Sequence, residues 1–477
     1  MMLVRGVGLG CARGRACGLA PSLSGRLFCT ASGEGKSGKD AEKDAGKDAG
    51  EGKKKGKKVD SRKQKGMFYT SVDSCSELNA EMNGLVHRFS EQQMKTLFPS
   101  GLMGDIQAES KQSGINALMI RNDMTEIIDT MKTVENSDTP LDLGLELLVG
   151  ERGIGKSSTL NGVVAYARAS GWLTMVIPDC VEWVTETGAL LRGTGTAAPV
   201  INSKFHPGFF TQPLGAKMIL EEMKLLHEDK LKTLPQRIQH ANKYYSDQDT
   251  SLMGIVERGL TKARDSGDAV YDLRRELALV EEFPVLLAVD QLNAVYWPTC
   301  FYSKGKNIAP EKLLFCEALR FLDSEGNLRE NQTMKNGLVL GATTGKYRLP
   351  RSPKVIDQCI EDNNNEVVFF RPFHDFGEKL QPRALKTFRR FGRKNPSKDV
   401  RANAELDERN KAYSDPNIKV REVSPYTLTE VKNILKFYRS LKLFEQNVIS
   451  DQAWLAKTAI TTGYVPREVR EMIMPFL

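Results

Sequence analysis

A glycine-rich octapeptide at residues 150–157, GERGIGKS, has the residue types and spacing needed to bind the phosphates of a nucleotide. Its glycines allow backbone N–H groups to approach an anion closely, and Lys156 would place an ammonium group near the β and γ phosphates. Ser157 would supply a hydroxyl ligand to Mg²⁺, and Ser158 could donate a hydrogen bond to the α phosphate. We therefore expect a nucleotide–Mg²⁺ site here. The alternative is a glycine-rich turn that binds nothing.

The segments on either side of this loop predict the elements that must position it. Residues 145–149 (LELLV) are a short apolar run of strand length. The helix predicted after the loop has one apolar face, formed by Leu160, Val163, Val164 and Ala167. Residues 172–179 (WLTMVIPD) predict the next parallel strand, buried on both faces. The order strand, loop, helix, strand is the one that phosphate binding requires.

A second apolar strand, predicted at residues 283–290 (FPVLLAVD), ends in Asp290. A carboxylate at such a strand end can hold a Mg²⁺-bound water, so Asp290 is the second predicted metal residue. Its alternative role is that of a turn or cap residue. Many P-loop ATPases have a glutamate next, whereas Gln291 follows here and cannot accept a proton as a general base. We expect nucleotide binding with slow or absent hydrolysis.

Two further segments offer polar groups to the phosphates. The strand predicted at residues 337–344 ends at Thr343 and Thr344, where a sensor of the γ phosphate would lie, although a plain strand and turn fits equally. Arg467, in the turn GYVPR, could reach a phosphate from a helical lid, or it could be an exposed first-turn residue. The guanine-selective NKxD pattern is absent from the sequence, so these motifs do not identify the base.

The parts of the chain that flank this core predict mainly helices. Residues 67–140 read as mostly helical, with an amphipathic helix at 115–132. Residues 420–477 read as a helical lid over the nucleotide. Its first helix carries an apolar stripe formed by Leu428, Val431, Ile434, Leu435, Tyr438 and Leu441.

Positive charge is concentrated at the N-terminus. Residues 1–66 contain 16 Lys and Arg against 7 Asp and Glu, a net charge of +9, so the rest of the chain carries −1 of the total of +8. Residues 1–33 are basic and lack acids, which is typical of a mitochondrial presequence, although a basic tail is the alternative. Residues 34–66 are a low-complexity basic linker, either solvated or lying along RNA phosphates.

A basic insertion at residues 373–419 is the strongest local candidate for RNA binding. Phe388 and Phe391 alternate with its cations and could stack on unpaired bases. A solvated charged loop is the alternative. The residues that we expect to contact RNA phosphates are Arg383, Lys386, Arg389, Arg390, Arg393 and Lys394.

These segments together predict an α/β protein with a P-loop NTPase fold, in which helices cover both faces of a parallel sheet. The nucleotide-binding domain would span residues 141–372, between the N-terminal helical extension and the basic insertion, and the N-terminal extension before residue 67 would be disordered. The sequence contains no apolar run approaching the roughly 20 residues that cross a bilayer, so we expect no membrane insertion.

Several longer segments give the chain a resemblance to a known family. They are residues 95–102 (KTLFPSGL), 117–121 (ALMIR), 172–184 (WLTMVIPDCVEWV), 212–214 (QPL), 255–270 (IVERGLTKARDSGDAV), 286–297 (LLAVDQLNAVYW) and 308–311 (IAPE). Together with the phosphate loop, they resemble the death-associated protein 3 family of mitochondrial small-subunit ribosomal proteins, a P-loop family of the STAND and AAA-related group. The resemblance runs from about residue 89 to the C-terminus.

The resemblance implies a parallel sheet between helices, a helical lid and a guanine-nucleotide-binding role in the head of the small subunit, near intersubunit contacts. Asp290 would face the metal. The residues that would bind the nucleotide are Gly150, Arg152, Gly153, Ile154, Gly155, Lys156, Ser157 and Ser158, with Thr343 and Arg467 added from the motifs above. The basic insertion departs from the family pattern, so its RNA contact is predicted from this sequence alone.

The functional expectation is a structural component of the mitochondrial ribosome in the matrix, where it supports mitochondrial translation. Its partners would be small-subunit rRNA, neighbouring ribosomal proteins and, at the intersubunit face, the large subunit. Its ligands would be GTP or GDP, rather than ATP, and Mg²⁺. The alternative is a matrix P-loop NTPase that acts as a switch or a remodelling enzyme. A third possibility is an RNA- or DNA-binding mitochondrial ATPase outside the ribosome.

Overall fold

The computed structural model describes most of the chain between residues 68 and 473. The described residues are 68–70, 72–185, 200–241, 250–297, 299, 301–303, 306–323, 327–344, 416–442 and 452–473. All of them belong to one compact unit, Arg62–Leu477. The predicted presequence (1–33), the low-complexity linker (34–66) and all six predicted RNA-binding residues lie outside the described residues.

The described residues form both helices and strands. The helices are α1 (Glu91–Leu97), α2 (Asp105–Ser113), α3 (Asn122–Glu135), α4 (Lys156–Ala169), α5 (Cys180–Thr185), α6 (Pro213–Thr233), α7 (Leu252–Thr261), α8 (Ser266–Leu277), α9 (Leu314–Leu319), α10 (Leu428–Ser440), α11 (Gln452–Thr462) and α12 (Pro466–Ile473). The strands are β1 (Val86–Arg88), β2 (Ala117–Met119), β3 (Asp142–Val149), β4 (Leu173–Ile177), β5 (Ile201–Asn202), β6 (Phe210–Thr211), β7 (Val285–Asp290), β8 (Tyr302–Ser303), β9 (Lys306–Asn307), β10 (Gly337–Ala342) and β11 (Ile418–Glu422).

Five of these strands make one sheet in the order β11-β3-β10-β7-β4, and every neighbouring pair is parallel. The register aligns Leu147 of β3 with Gly341 of β10, Gly341 with Val289 of β7, and Val289 with Ile177 of β4. The carboxyl ends of these strands therefore lie at one edge of the sheet. The loops that follow β3, β10, β7 and β4 begin at this edge.

Helices cover both faces of the sheet because alternate residues of its buried strands point to opposite sides. Leu287 and Val289 belong to a core with residues of α5 to α9. Leu286 and Ala288, the residues that alternate with them, belong to a second core with residues of α3 and α4. The predicted α/β fold, with a parallel sheet between helices, is confirmed. The arrangement is compatible with a P-loop NTPase-like fold.

The predicted helix at residues 115–132 is wrong in its first part. Ala117–Met119 form β2, which pairs antiparallel with β1 and aligns Leu118 with His87. The chain stays extended at Arg121, with φ −128° and ψ 157°, and helix α3 begins only at Asn122. Hydrogen bonds to a strand about 30 residues earlier satisfy this backbone, so tertiary pairing overrides the local helical pattern.

The helical character of the C-terminus is confirmed. A capping box between Thr427 and Glu430 starts α10, which buries much of the predicted apolar stripe, although Leu428 is 49% exposed. Strand β11 lies across the predicted boundary at residues 419/420, so the sheet continues into the segment assigned to the lid. None of the helices in the described ranges is both long and apolar enough to cross a membrane.

The central position of β10 leads to a stability prediction. Leu340 is fully buried in this strand, so Leu340→Ala should lower the free energy of unfolding by about 2–5 kcal/mol through lost burial and the cavity left behind. Leu225→Ala, a control at a side chain that is 68% exposed, should change it by less than about 0.5 kcal/mol. Urea denaturation of the two variants measures the difference, and equal losses would contradict the proposed core.

Candidate nucleotide-binding site

The phosphate loop has the backbone conformation that anion binding requires. It connects the end of β3 to the start of α4 with positive φ angles at Gly150, Gly153 and Gly155, of 133°, 83° and 110°. No side chain caps the N-terminus of α4, so its first N–H groups and the positive end of the helix dipole face the loop. Gly153 also allows Arg467 to approach the loop closely, because a Cβ on residue 153 would lie 2.5 Å from the Cβ of Arg467.

Lys156 is buried in this loop and has only 7% of its surface exposed. Its Nζ donates hydrogen bonds to the carbonyl oxygens of Gly150 (2.6 Å) and Glu151 (2.8 Å). Burial lowers the pKa of Lys156 to about 8, although the carboxylates of Asp290 and Glu151 oppose the change. A phosphate would supply the negative charge that a buried ammonium group needs.

Asp290 lies at the end of β7 with 2% of its surface exposed. Its Oδ1 accepts the N–H of Gln291 at 2.9 Å, whereas its Oδ2 accepts no well-formed hydrogen bond from any described residue. Burial raises the pKa of Asp290 to about 7, while the nearby Ser157 hydroxyl lowers it. A buried carboxylate oxygen of this kind, next to a serine hydroxyl, fits a hard cation such as Mg²⁺.

The donor set also agrees with magnesium chemistry. The described part of the chain contains no group of three or more His, Cys, Asp or Glu residues that could enclose a metal ion. Mg²⁺ is usually held by one or two protein groups, with water and phosphate oxygens completing its octahedral shell. Ser157 and Asp290 are thus the described residues that would hold it, in the presence of a nucleotide.

Asp179, which the sequence analysis did not assign, is the second acid at this edge. Burial raises the pKa of Asp179, and a hydrogen bond with the Gln291 side chain partly opposes this rise. Gln291 itself has a left-handed backbone, with φ 59° and ψ 37°. Asp179 and Asp290 lie close together because β4 and β7 are neighbours in the sheet. In the sequence, Asp179 could have been found because an acid stands at the end of each of these two predicted strands.

Thr343 follows β10, between the strands that lead to the loop and to Asp290. Its backbone N–H and its hydroxyl both donate to the carbonyl oxygen of Leu148, at 2.9 Å and 3.1 Å. A hydrogen bond from this hydroxyl to a phosphate would have to replace the one to Leu148. Thr344 is held by two hydrogen bonds with the side chain of Asn293.

Arg467 lies against the loop from the other side, at the start of α12. Its backbone N–H donates to Gly153 O at 3.1 Å, while its guanidinium pairs with Glu471 at 2.6 Å and Asp105 at 3.6 Å. The other predicted loop residues differ in environment. Arg152 is exposed, and the side chain of Ile154 is buried in the core beside α4, so only the backbone of Ile154 could reach a ligand.

Arg121 joins the loop to the C-terminal helices and was not predicted as a site residue. Its guanidinium, 4% exposed, donates to the carbonyl oxygens of Ile154 (2.9 Å), Pro425 (3.1 Å) and Ser424. It also pairs with Glu430 at 3.6 Å. Ser424, Pro425 and Glu430 are about 300 residues away from Arg121 in sequence, and no local pattern predicts such contacts.

Most of the predicted residues line one cavity of about 910 Å³, a size within the range of small-ligand sites. The predicted residues in its wall are Arg152, Gly153, Gly155, Lys156, Ser157, Ser158, Asp290, Thr343 and Arg467. Asp179, Gln291 and Arg121 line it as well. The arrangement brings a cation, a hydroxyl and a carboxylate together beside a helix N-terminus, which suits a phosphate–Mg²⁺ pair.

The two shifted pKa values predict how nucleotide affinity depends on pH. Below about pH 7 Asp290 becomes protonated and loses its charge, and above about pH 8 Lys156 loses its proton. The affinity for Mg²⁺–nucleotide should therefore be highest between these values and fall by up to about tenfold per pH unit on each side. Binding titrations from pH 6 to pH 9 measure this.

The expected loss of affinity below about pH 7 has a matched control. Asp290→Asn cannot titrate, so its weaker affinity should change between pH 6 and pH 7 only as far as the nucleotide's own phosphates do. A wild-type dissociation constant that changes no more than that of Asp290→Asn would show that Asp290 is not a metal ligand.

Comparison with known proteins gives the chain its relatives. The family model described as "Mitochondrial ribosomal death-associated protein 3" matches residues 118–472. The small ribosomal subunit protein mS29 of Mus musculus is 29% identical over 268 residues, which are 55% of this chain and 65% of that protein. The protein of the same name from Bos taurus is 29% identical over 243 residues, 50% of this chain and 58% of that protein. The alignments thus cover less than two thirds of each relative, whereas the family model covers most of this chain. The chain belongs to the mitochondrial ribosomal death-associated protein 3 family.

Proposed function

We propose that this protein is a component of the small subunit of the mitochondrial ribosome and that it binds a guanine nucleotide with Mg²⁺ at residues 150–158. Membership of the family and the names of the two relatives support the ribosomal role. One observation carries the proposal of nucleotide binding: the Lys156 ammonium, the Ser157 hydroxyl and the Asp290 carboxylate all line one cavity at the start of α4. The guanine base is proposed from the family resemblance.

Each group has a defined part in binding. The N–H groups of residues 153–158 and the positive end of α4 hold the phosphates, and Lys156 neutralises their charge. Ser157 and Asp290 hold Mg²⁺, which when bound offsets the negative charge of the β and γ phosphates. Thr343 and Arg467 reach the phosphates if they exchange their present partners, Leu148 and Asp105, for the ligand.

Stabilisation of the folded protein would be a sufficient reason for it to bind a nucleotide. A ligand that binds only the native state at a thousandfold excess over its Kd adds roughly 4 kcal/mol to the stability. Hydrolysis needs a group that orients or deprotonates the attacking water. The residue after Asp290 is a glutamine, and its amide is bonded to Asp179, so we propose slow turnover or none.

The ribosomal role implies partners in the mitochondrial matrix. These would be small-subunit rRNA, neighbouring ribosomal proteins and, at the intersubunit face, the large subunit. The basic insertion would contact rRNA phosphates through the six cations named in the sequence analysis, which remain predictions.

The nucleotide proposal is tested with Lys156→Met, which keeps the length of the side chain and removes its charge. Purified wild-type protein should release close to one guanine nucleotide per chain on denaturation. The variant should release at least about tenfold less, because one charged hydrogen-bonding group contributes about 1.5–3 kcal/mol. Lys224→Ala, at an exposed surface lysine, should retain the wild-type amount.

Two results would change the assignment. Equal nucleotide content in Lys156→Met and wild type would remove the loop from the binding site. Turnover above roughly 1 per second in the wild type, lost in the variant, would favour the matrix NTPase instead.

The ribosomal proposal is tested by sedimentation of mitochondrial lysate in a sucrose gradient. The protein should migrate with the small subunit in stoichiometric amount and remain there after a high-salt wash. An rRNA-depleted lysate serves as the control, in which the protein should shift to light fractions. Migration of the untreated protein as a free monomer or oligomer would contradict the proposal.

A further inference from the structure

Gly104 lies in direct contact with the metal-binding side of the nucleotide site. A Cβ on this residue would lie 2.7 Å from Ser157 Cβ, 2.9 Å from Ser157 Oγ and 3.7 Å from Asp290 Oδ2. Its φ of 73° and ψ of −163° belong to a region that only glycine occupies readily. The backbone of Gly104 therefore closes the space beside the two groups that would hold Mg²⁺, and any side chain would fill that space.

The residues before Gly104 are fixed to the same helix that carries Ser157. The N–H of Met103 donates to Asn161 Oδ1 at 2.9 Å, and Asn161 Nδ2 donates to Met103 O at 3.0 Å. Asn161 is fully buried in α4, one turn beyond Ser157, and Leu102 and Met103 are each 2% exposed. The position of Gly104 is thus set by the phosphate-binding helix itself.

Helix α2 starts at this point, and Ile106 is its one described side chain that packs against the core beside α4. None of its described side chains is buried. It reaches the C-terminal helices through polar pairs: Asp105 with Arg467 at 3.6 Å, and Glu109 with Arg470 at 3.3 Å and with the hydroxyl of Tyr438 at 3.2 Å. Partly exposed ion pairs contribute only about 0–1 kcal/mol each. A ligand that adds a contact at the start of α2 can therefore change how firmly the helix is held.

A phosphate–Mg²⁺ group fits the start of α2. The helix has no side-chain cap, so its first N–H groups and the positive end of its dipole lie beside Ser157 and the buried Asp290 Oδ2. The N-termini of α2 and α4 both adjoin one cavity. Such an arrangement favours an anion with its cation between them.

We propose that Gly104 and the start of α2 form the closing wall of the site, and that Mg²⁺–nucleotide binding holds α2 and, through the pair of Glu109 with Arg470, α12 in place. The N-terminal segment then reports the occupancy of the site to the C-terminal helices. This inference rests on the proposed nucleotide binding and adds a positioning residue and a responsive element to it.

Hydrogen exchange of the purified full chain provides the first test. Amides of residues 102–110 should exchange at least about tenfold more slowly with GTP and Mg²⁺ than without nucleotide. The protection should shrink when EDTA removes the metal, because the wall lies on the metal side of Ser157. Amides in the last turn of α6, which lies beside the far end of α4 and exchanges by local fraying, serve as the internal reference and should not change.

A pair of glycine variants provides the second test. Gly104→Ala should weaken Mg²⁺–GTP binding at least tenfold and abolish the added protection of residues 102–110. Gly114→Ala is the control, since Gly114 ends the same helix with a φ of 69° and nothing lies within 4 Å of its Cβ position. Melting temperatures without nucleotide show whether each variant is folded.

The outcomes separate this inference from the proposed function. Wild-type binding with unchanged exchange at residues 102–110, or equal affinities in the two variants, would overturn the closing wall and leave nucleotide binding intact. A wild type that binds no nucleotide would overturn both. Loss of affinity and protection in Gly104→Ala alone would support the inference. If that variant does not fold, the exchange test on the wild type decides the question.

Discussion

The parallel register of five strands determines where the loop, the two acids and Thr343 of the candidate site lie. Because β3, β10, β7 and β4 all run in one direction, the loop after each strand begins at the same edge. Lys156 and Ser157 follow the first of these strands, Thr343 the second, Asp290 the third and Asp179 the fourth. The intervening helices are the crossovers that a parallel sheet requires, and they cover its two faces.

The same edge concentrates buried charge. Lys156 and Asp290 are both almost fully buried, and burial shifts the pKa of each toward its neutral form. Neither group gains much from its protein neighbours, since Lys156 binds two backbone carbonyls and Asp290 keeps an oxygen without a good hydrogen bond among the described residues. On the proposed function, a bound phosphate with its cation would satisfy both groups at once and would offset the cost of burying these charges.

Local sequence predicted the loop and the strands well, because phosphate binding demands a fixed spacing of glycine, lysine and serine and because buried parallel strands are continuous apolar runs. It failed where distant segments decide the outcome. Residues 117–119 form a strand only because they pair with β1. Arg121 links the loop, through Ile154 O, to carbonyls about 300 residues later. Gly104 likewise carries no local motif, and the only sequence signal for Asp179 is that it follows a predicted strand. Their roles follow from the contact with Ser157 and from the pairing of β4 with β7.

The central claim is that a nucleotide occupies this loop while the protein is part of the ribosome. Cryo-electron microscopy of small subunits purified from mitochondria, without added nucleotide, tests it most directly. We expect this chain in the particle, with density for a nucleotide against residues 153–158 and for a metal between Ser157 and Asp290. A particle that contains the chain with an empty loop, or that lacks the chain, would contradict it.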